Sequence, residues 1–322
     1  MAVLDPVRPD LRAPVGSPPV GRPPDEVLPP VGGPGGGLPG SVRPGTRWLL
    51  RAFLSLTTLA VLALVLLPGA HHQFAWSIHM ELTAAWLGAA YASGSLLSLL
   101  ALRRNGWHEV RIAVVTVATF TWLTLVATLV HTHKLNLMSG TLPGRLAAWV
   151  WLAVYLVVPV ACWVLVSRQD RDHVRSRVLH RPMPRSLAGL LGAQGVVLAA
   201  AGTVLFLGGL TVHHESEAVT RFWPWDLMPL SSQVIGAWLI ALGLGAALVI
   251  RDRDLSRLRV PAAAYTAFGV LQLGVLVGHR ADVEAGDPWL WAYVAVLAVV
   301  VGTGGFGWWA GRDPGVIRRR AG

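Results

Sequence analysis

The run HHQFAWSIHMELTAAWLGAA, residues 71–90, and the later run HHESEAVTRFWPWDLMPLSSQVIGAWL, residues 213–239, decide the fold. Each opens on a histidine pair, passes through tryptophan and enters a long apolar stretch. Gly88 in one and Gly236 in the other are the small residues that let helices approach closely in a bilayer. Two such runs in one chain point to a polytopic membrane protein made of two related halves.

Composition agrees. The 322 residues are 53% hydrophobic and only 14% charged, with a mean hydropathy of +0.53, outside the range of an ordinary soluble domain. Crossing a hydrocarbon core of about 30 Å takes roughly 20 helical residues, and only helices satisfy the backbone in runs of this kind. Eight apolar runs meet that length, at 48–68, 80–102, 110–131, 146–167, 187–210, 231–250, 258–278 and 288–311. The expected fold is therefore all-α, a transmembrane bundle of eight spans arranged as two parallel four-helix repeats.

Its domains read as a disordered Pro/Gly-rich tail over 1–46, membrane repeats over 47–185 and 186–311, and a basic tail over 312–322. With no cleavable leader ahead of it, the first apolar run is expected to remain as an anchor.

The charge pattern sets the orientation. With the N-terminus inside, 23 of the 27 basic residues fall in inner segments, and only Lys134, Arg145, Arg221 and Arg280 lie outside. The positive-inside bias then puts both termini in the cytoplasm of a bacterial plasma membrane. The formal charge of +10 is accounted for by topology and anionic lipid, and needs no nucleic acid.

Spacing supports the duplication. Gly88 and Gly236, Arg111 and Arg259, and His131 and His279 each lie 148 positions apart. The pairs His71–His72 and His213–His214 are 142 apart, and Trp149 and Trp151 lie 140 before Trp289 and Trp291, so length differences fall in loops.

Eight of the eleven histidines map to the outer face. His71, His72, His131, His213, His214 and His279 are candidates to hold haem or a transition metal, since neutral imidazole ligates both. An aromatic belt at headgroup level is the competing explanation for His and Trp there. Trp76, His79, Glu81, Trp223, Trp225 and Asp226 are candidates to line an outward-facing site for a small or lipid-like molecule. The prolines of FWPWDLMP are expected to form a rigid interfacial turn.

The spans carry no midplane acid or base of the kind that ion-coupled transport needs. No HExxH, CxxC, CxxCH, GxSxG or P-loop motif occurs, and Cys162 stands alone. The reading leans to a non-enzymatic protein that binds, or carries without ion coupling, a small or lipid-like molecule. A haem- or metal-binding redox protein and a structural subunit docking a membrane-protein partner are the alternatives.

The stretches FAWSIHMELTAAWLGAAY, WLTLVATLVHTHK, FWPWDLMPL and IGAWLIALG resemble those of a family of multi-pass membrane proteins of actinobacteria. That resemblance, over most of residues 74–310, implies fold and location and no activity. The eight-span plan is also distantly similar to that of haem A synthase. The chain departs from that family in having no outer-loop cysteine pair, and the family's haem ligands and activity are not carried over.

Overall fold

The computed structural model describes residues 41–66, 74–138, 140–172, 182–211 and 222–312. Among them are eight long helices: α1 (Pro44–Val61), α2 (Glu81–Leu102), α3 (Trp107–Val130), α4 (Leu142–Asp172), α5 (Arg185–Thr211), α6 (Pro229–Asp252), α7 (Leu255–Gly278) and α8 (Pro288–Ala310). All eight are long and apolar enough to cross a membrane, and the described residues form no strand. This is an all-α, multi-pass membrane bundle.

The helices extend the expected apolar runs by a few residues at several ends, for local reasons. Pro44, Pro229 and Pro288 sit in first turns, where the missing N–H costs nothing. Asp254 and Asp287 cap α7 and α8 by accepting from the backbone N–H groups of Ser256 and Trp289. α1 instead ends early and passes into a π-helical turn over Leu62–Leu66.

Helices α2, α3, α6 and α7 form the centre, with α1 against α2, α4 against α3, α5 against α6 and α8 against α7. Across the middle, α2 packs on α7 and α3 packs on α6. Each contact made by the first four helices thus has a counterpart in the second four.

The match extends to single bonds. At the arginine-rich end, an antiparallel bridge joins Ser41 to Gly106, and another joins Pro182 to Asp254. Val42 N–H donates to the Asn105 carbonyl at 2.8 Å, and Met183 N–H to the Arg253 carbonyl at 3.0 Å. At the opposite end, where His131 and His279 lie, the two residues follow α3 and α7 with φ/ψ of −110°/30° and −111°/31°. Each donates its backbone N–H four residues back, to Ala127 and Val275.

The 140-residue spacing of the tryptophans does not describe the packing of α4 and α8. Trp151 is buried between Phe74 and Trp76, whereas Trp291 is 61% exposed. The ring in the corresponding place is that of Tyr293, against Trp223 and Trp225, so the helices correspond at a spacing of 142. Trp291, two residues before Tyr293, lies on the other side of the helix and faces outward.

Polar groups at the arginine-rich end hold helix termini. Gln169 of α4 accepts from Arg43 N–H at 3.1 Å and from Thr46 Oγ1 at 3.4 Å, and its Nε2 donates to the Ser41 carbonyl at 2.8 Å. Asp170 accepts from Trp107 Nε1 at 2.8 Å and from Arg111 Nε at 3.0 Å. The start of α1 and the start of α3 are thereby both tied to the last turn of α4.

Candidate functional site

The tryptophans expected to line an open site are core residues instead. Trp76 is 1% exposed, and Trp223 and Trp225 are 6% exposed. Their pairing is reciprocal across the two halves: Trp76 Nε1 donates to Ser231 Oγ at 3.4 Å, and Trp225 Nε1 to Thr83 Oγ1 at 3.1 Å. Phe74 packs edge-on to Trp76 at 5.2 Å, and Trp223 on Trp225 at 5.1 Å. The FWPW segment folds inward as part of a plug, because indoles gain more from stacking under the helix ends than from facing water.

His79, Glu81 and Asp226 remain on the surface above this plug. His79 Nδ1 lies 3.0 Å from Met228 Sδ, a contact between the two halves.

The histidines separate. His131 is buried, with Nδ1 3.3 Å from the Ala127 carbonyl. Burial pushes its imidazole below the ordinary value, aided by His133 and Lys134 and opposed by the Ala127 carbonyl and Gln233. His279, its counterpart, is partly exposed and meets Asp282 Oδ2 at 3.1 Å. The pairs His71–His72 and His213–His214 lie outside the described residues, so their approach to His131 and His279 does too. Among the described residues, no three His, Cys, Asp or Glu side chains gather in a way that would hold a metal ion.

The feature with room for a ligand is one that no motif marked. Between α1 and α4 lies a cleft of about 380 Å³, within the range of ligand pockets. Phe53, Thr57 and Ala60 of α1, with Ala63 of the π-helical turn, form one wall, and Pro143, Ala147, Val150 and Val154 of α4 the other. Tyr91 of α2 and Thr121 of α3 floor it, with Trp151 and Tyr155. At the lip, Leu59 and Val150 are 58% and 50% exposed. No charged side chain or histidine lines it among the described residues.

Its polar groups are specific. Ser95 Oγ donates to Thr57 Oγ1 at 2.7 Å, and Thr57 in turn donates to the Phe53 carbonyl at 2.8 Å. The Tyr91 and Tyr155 hydroxyls meet at 3.1 Å.

The second half treats the same positions differently. Leu64 lies against Gly88 as Phe206 lies against Gly236, and Thr57 meets Ser95 as Ala199 meets Gly243. Carried along the helices, this register puts Gly195 and Gly202 where Phe53 and Ala60 stand. Leu239 and Leu297 take the places of Tyr91 and Tyr155. A Cβ on Gly236 would come within 2.6 Å of the Gly202 carbonyl, and one on Gly202 within 2.7 Å of the Gly236 carbonyl. So α5 and α6 touch backbone to backbone.

Comparison with known proteins yields no matching family model, no matching curated protein and no matching solved structure. The fold defines the class, a multi-pass helical membrane protein, and the cleft is the place from which function has to be read.

Proposed function

We propose that this chain is a plasma-membrane protein that binds a small or lipid-like molecule in the cleft between α1 and α4, either to retain it or to pass it on without ion coupling. In this reading the two four-helix groups descend from one duplicated unit, both termini are cytoplasmic, and the wide end of the cleft lies in the outer half of the membrane. One observation carries the proposal. The hydroxyl and aromatic residues Thr57, Ser95, Tyr91 and Tyr155 cluster at the cleft, while their counterparts Ala199, Gly243, Leu239 and Leu297 have neither hydroxyl nor ring. The second half is built without such groups, which supports a role for them other than stability. The first half has kept, or acquired, a lined space.

Apolar walls that open sideways between two peripheral helices suit a molecule arriving from the bilayer rather than from water. The test is photolabelling of the full chain in nanodiscs with a diazirine-bearing alkyl probe. Labelling is expected to concentrate on residues 53–63 and 143–155. Ala147→Trp, which fills the cleft from its α4 wall, is expected to remove that labelling while leaving thermal unfolding nearly unchanged. Labelling spread evenly over the exposed faces of all eight helices would overturn the proposal.

A further inference from the structure

We infer that the occupant of the α1–α4 cleft is a long-chain molecule whose polar end is an uncharged oxygen acceptor, a ketone, ester or alcohol oxygen, bound by the Tyr91–Tyr155 hydroxyl pair. This rests on the proposed role of the cleft and specifies its ligand.

The inference begins with a count of protons. Two phenols carry two O–H donors, and the contact between their oxygens at 3.1 Å uses one of them. Thr124 Oγ1 lies beside the Tyr155 hydroxyl and adds a third hydroxyl to the pair. A linear chain of three hydroxyls still ends with one donor unspent, and it falls on Tyr91 when the chain runs from Thr124 through Tyr155. The other hydroxyls at the cleft are committed: Ser95 to Thr57, Thr57 to the Phe53 carbonyl, and Thr121 to the Val117 carbonyl at 2.9 Å. In that order the phenol pair holds a donor available to a ligand, the one among the described hydroxyls of the lining.

Both tyrosines are 4% exposed. Their rings are fixed by neighbours, Tyr91 against Phe120 and Trp238, and Tyr155 against Phe120 and Trp151. The donor sits on a rigid base at the floor of an apolar space, where a hydrogen bond is worth more than in water.

Among the described residues the lining offers a charged ligand no counter-charge. An ammonium or carboxylate there would be desolvated with no opposite charge to meet it, a cost that one phenol cannot offset. A pure hydrocarbon would leave the donor unspent. An uncharged oxygen at the end of an alkyl chain satisfies both conditions, with the chain running between the α1 and α4 walls.

The test uses the full chain in nanodiscs and the diazirine alkyl probe, displaced by a long-chain methyl ketone, the alkane of equal length or the fatty carboxylate of equal length. The ketone is expected to compete about tenfold better than the alkane, the worth of one hydrogen bond formed away from water. The carboxylate is expected to do no better than the alkane. In the double variant Tyr91→Phe/Tyr155→Phe, ketone and alkane should compete equally. Retained alkane competition there shows that the variant is folded and its cleft intact.

Equal competition by ketone and alkane in the wild-type protein would overturn the inference while leaving the cleft proposal standing. So would a preference that survives in the double variant, or a carboxylate that outcompetes the ketone. Failure of all three to displace the probe would overturn the cleft proposal and this inference with it.

Discussion

The two halves of this protein are built on one set of helix contacts and use them to opposite ends. In the second half, Gly195, Gly202, Gly236 and Gly243 bring α5 onto α6, and Gly269, Gly304 and Gly307 bring α7 onto α8. In the first half the matching positions carry Phe53, Ala60 and Ser95 along α1 and α2, and Thr121 and Cys162 along α3 and α4. Larger side chains hold the outer helices away, and the cleft is the result. If the proposed ligand site is real, packing and binding fall to different halves, the glycine-packed half being the more closely joined.

The largest effect should come from a backbone-to-backbone approach. Gly236→Leu forces a side chain into the Gly202 carbonyl and the Phe206 amide, and is expected to cost about 3 kcal/mol or more, or to prevent folding. Ala60→Leu, at the position that matches Gly202, extends into the cleft and is expected to change stability by about 0.5 kcal/mol. Thermal unfolding in a single detergent measures both. Equal losses would mean that the halves are packed alike and that the contrast between them is false.

An intermediate effect probes what the halves share. Trp76→Phe and Trp225→Phe each remove one indole N–H bond across the interface, and each is expected to cost about 1–2 kcal/mol. Similar losses would sharpen the equivalence of the two plugs. A large loss at one tryptophan and none at the other would break it.

The smallest effect concerns the histidines, buried in one half and half-exposed in the other. Burial keeps the His131 imidazole below its ordinary value, so as pH falls through about 6.5 the unfolded chain takes up the proton first. Stability should be complete above that range and decline below it. His131→Gln, which keeps a polar group near Gln233, His133 and Lys134, is expected to flatten that decline. An unchanged pH profile of the melting temperature would show that His131 meets acid no differently from the unfolded chain.

Much of the fold was readable because hydropathy reports the bilayer directly. All eight spans were placed by apolar length alone, with errors confined to ends set by caps such as Asp254 and by the early π turn after Val61. The spacing of 148 agrees with the packing at Gly88 and Gly236, each of which lies against the preceding helical segment. The spacing of 140 was wrong at α4 and α8, where Trp291 offered a closer match in letters than Tyr293 did in space. The indoles of FWPW were read as a lining because tryptophan serves membrane belts and cores alike, and only packing separates the two. Nothing in sequence marked the cleft. Its walls are ordinary apolar residues, and its tyrosines, 64 positions apart, meet only after folding.

The Gln169 clamp has a mechanical consequence. It ties the first turn of α1 to the last turn of α4, so the two walls of the cleft are joined near one end like the arms of tongs. Ala60 lies 14 residues along α1 from Thr46, an arm of about 21 Å. A swing of only about 5° about that pivot moves the jaw at Ala60 by about 2 Å, which is half the width of an alkyl chain. Loosening Gln169 would thus change the separation of α1 and α4 at the cleft from the opposite end of the helices.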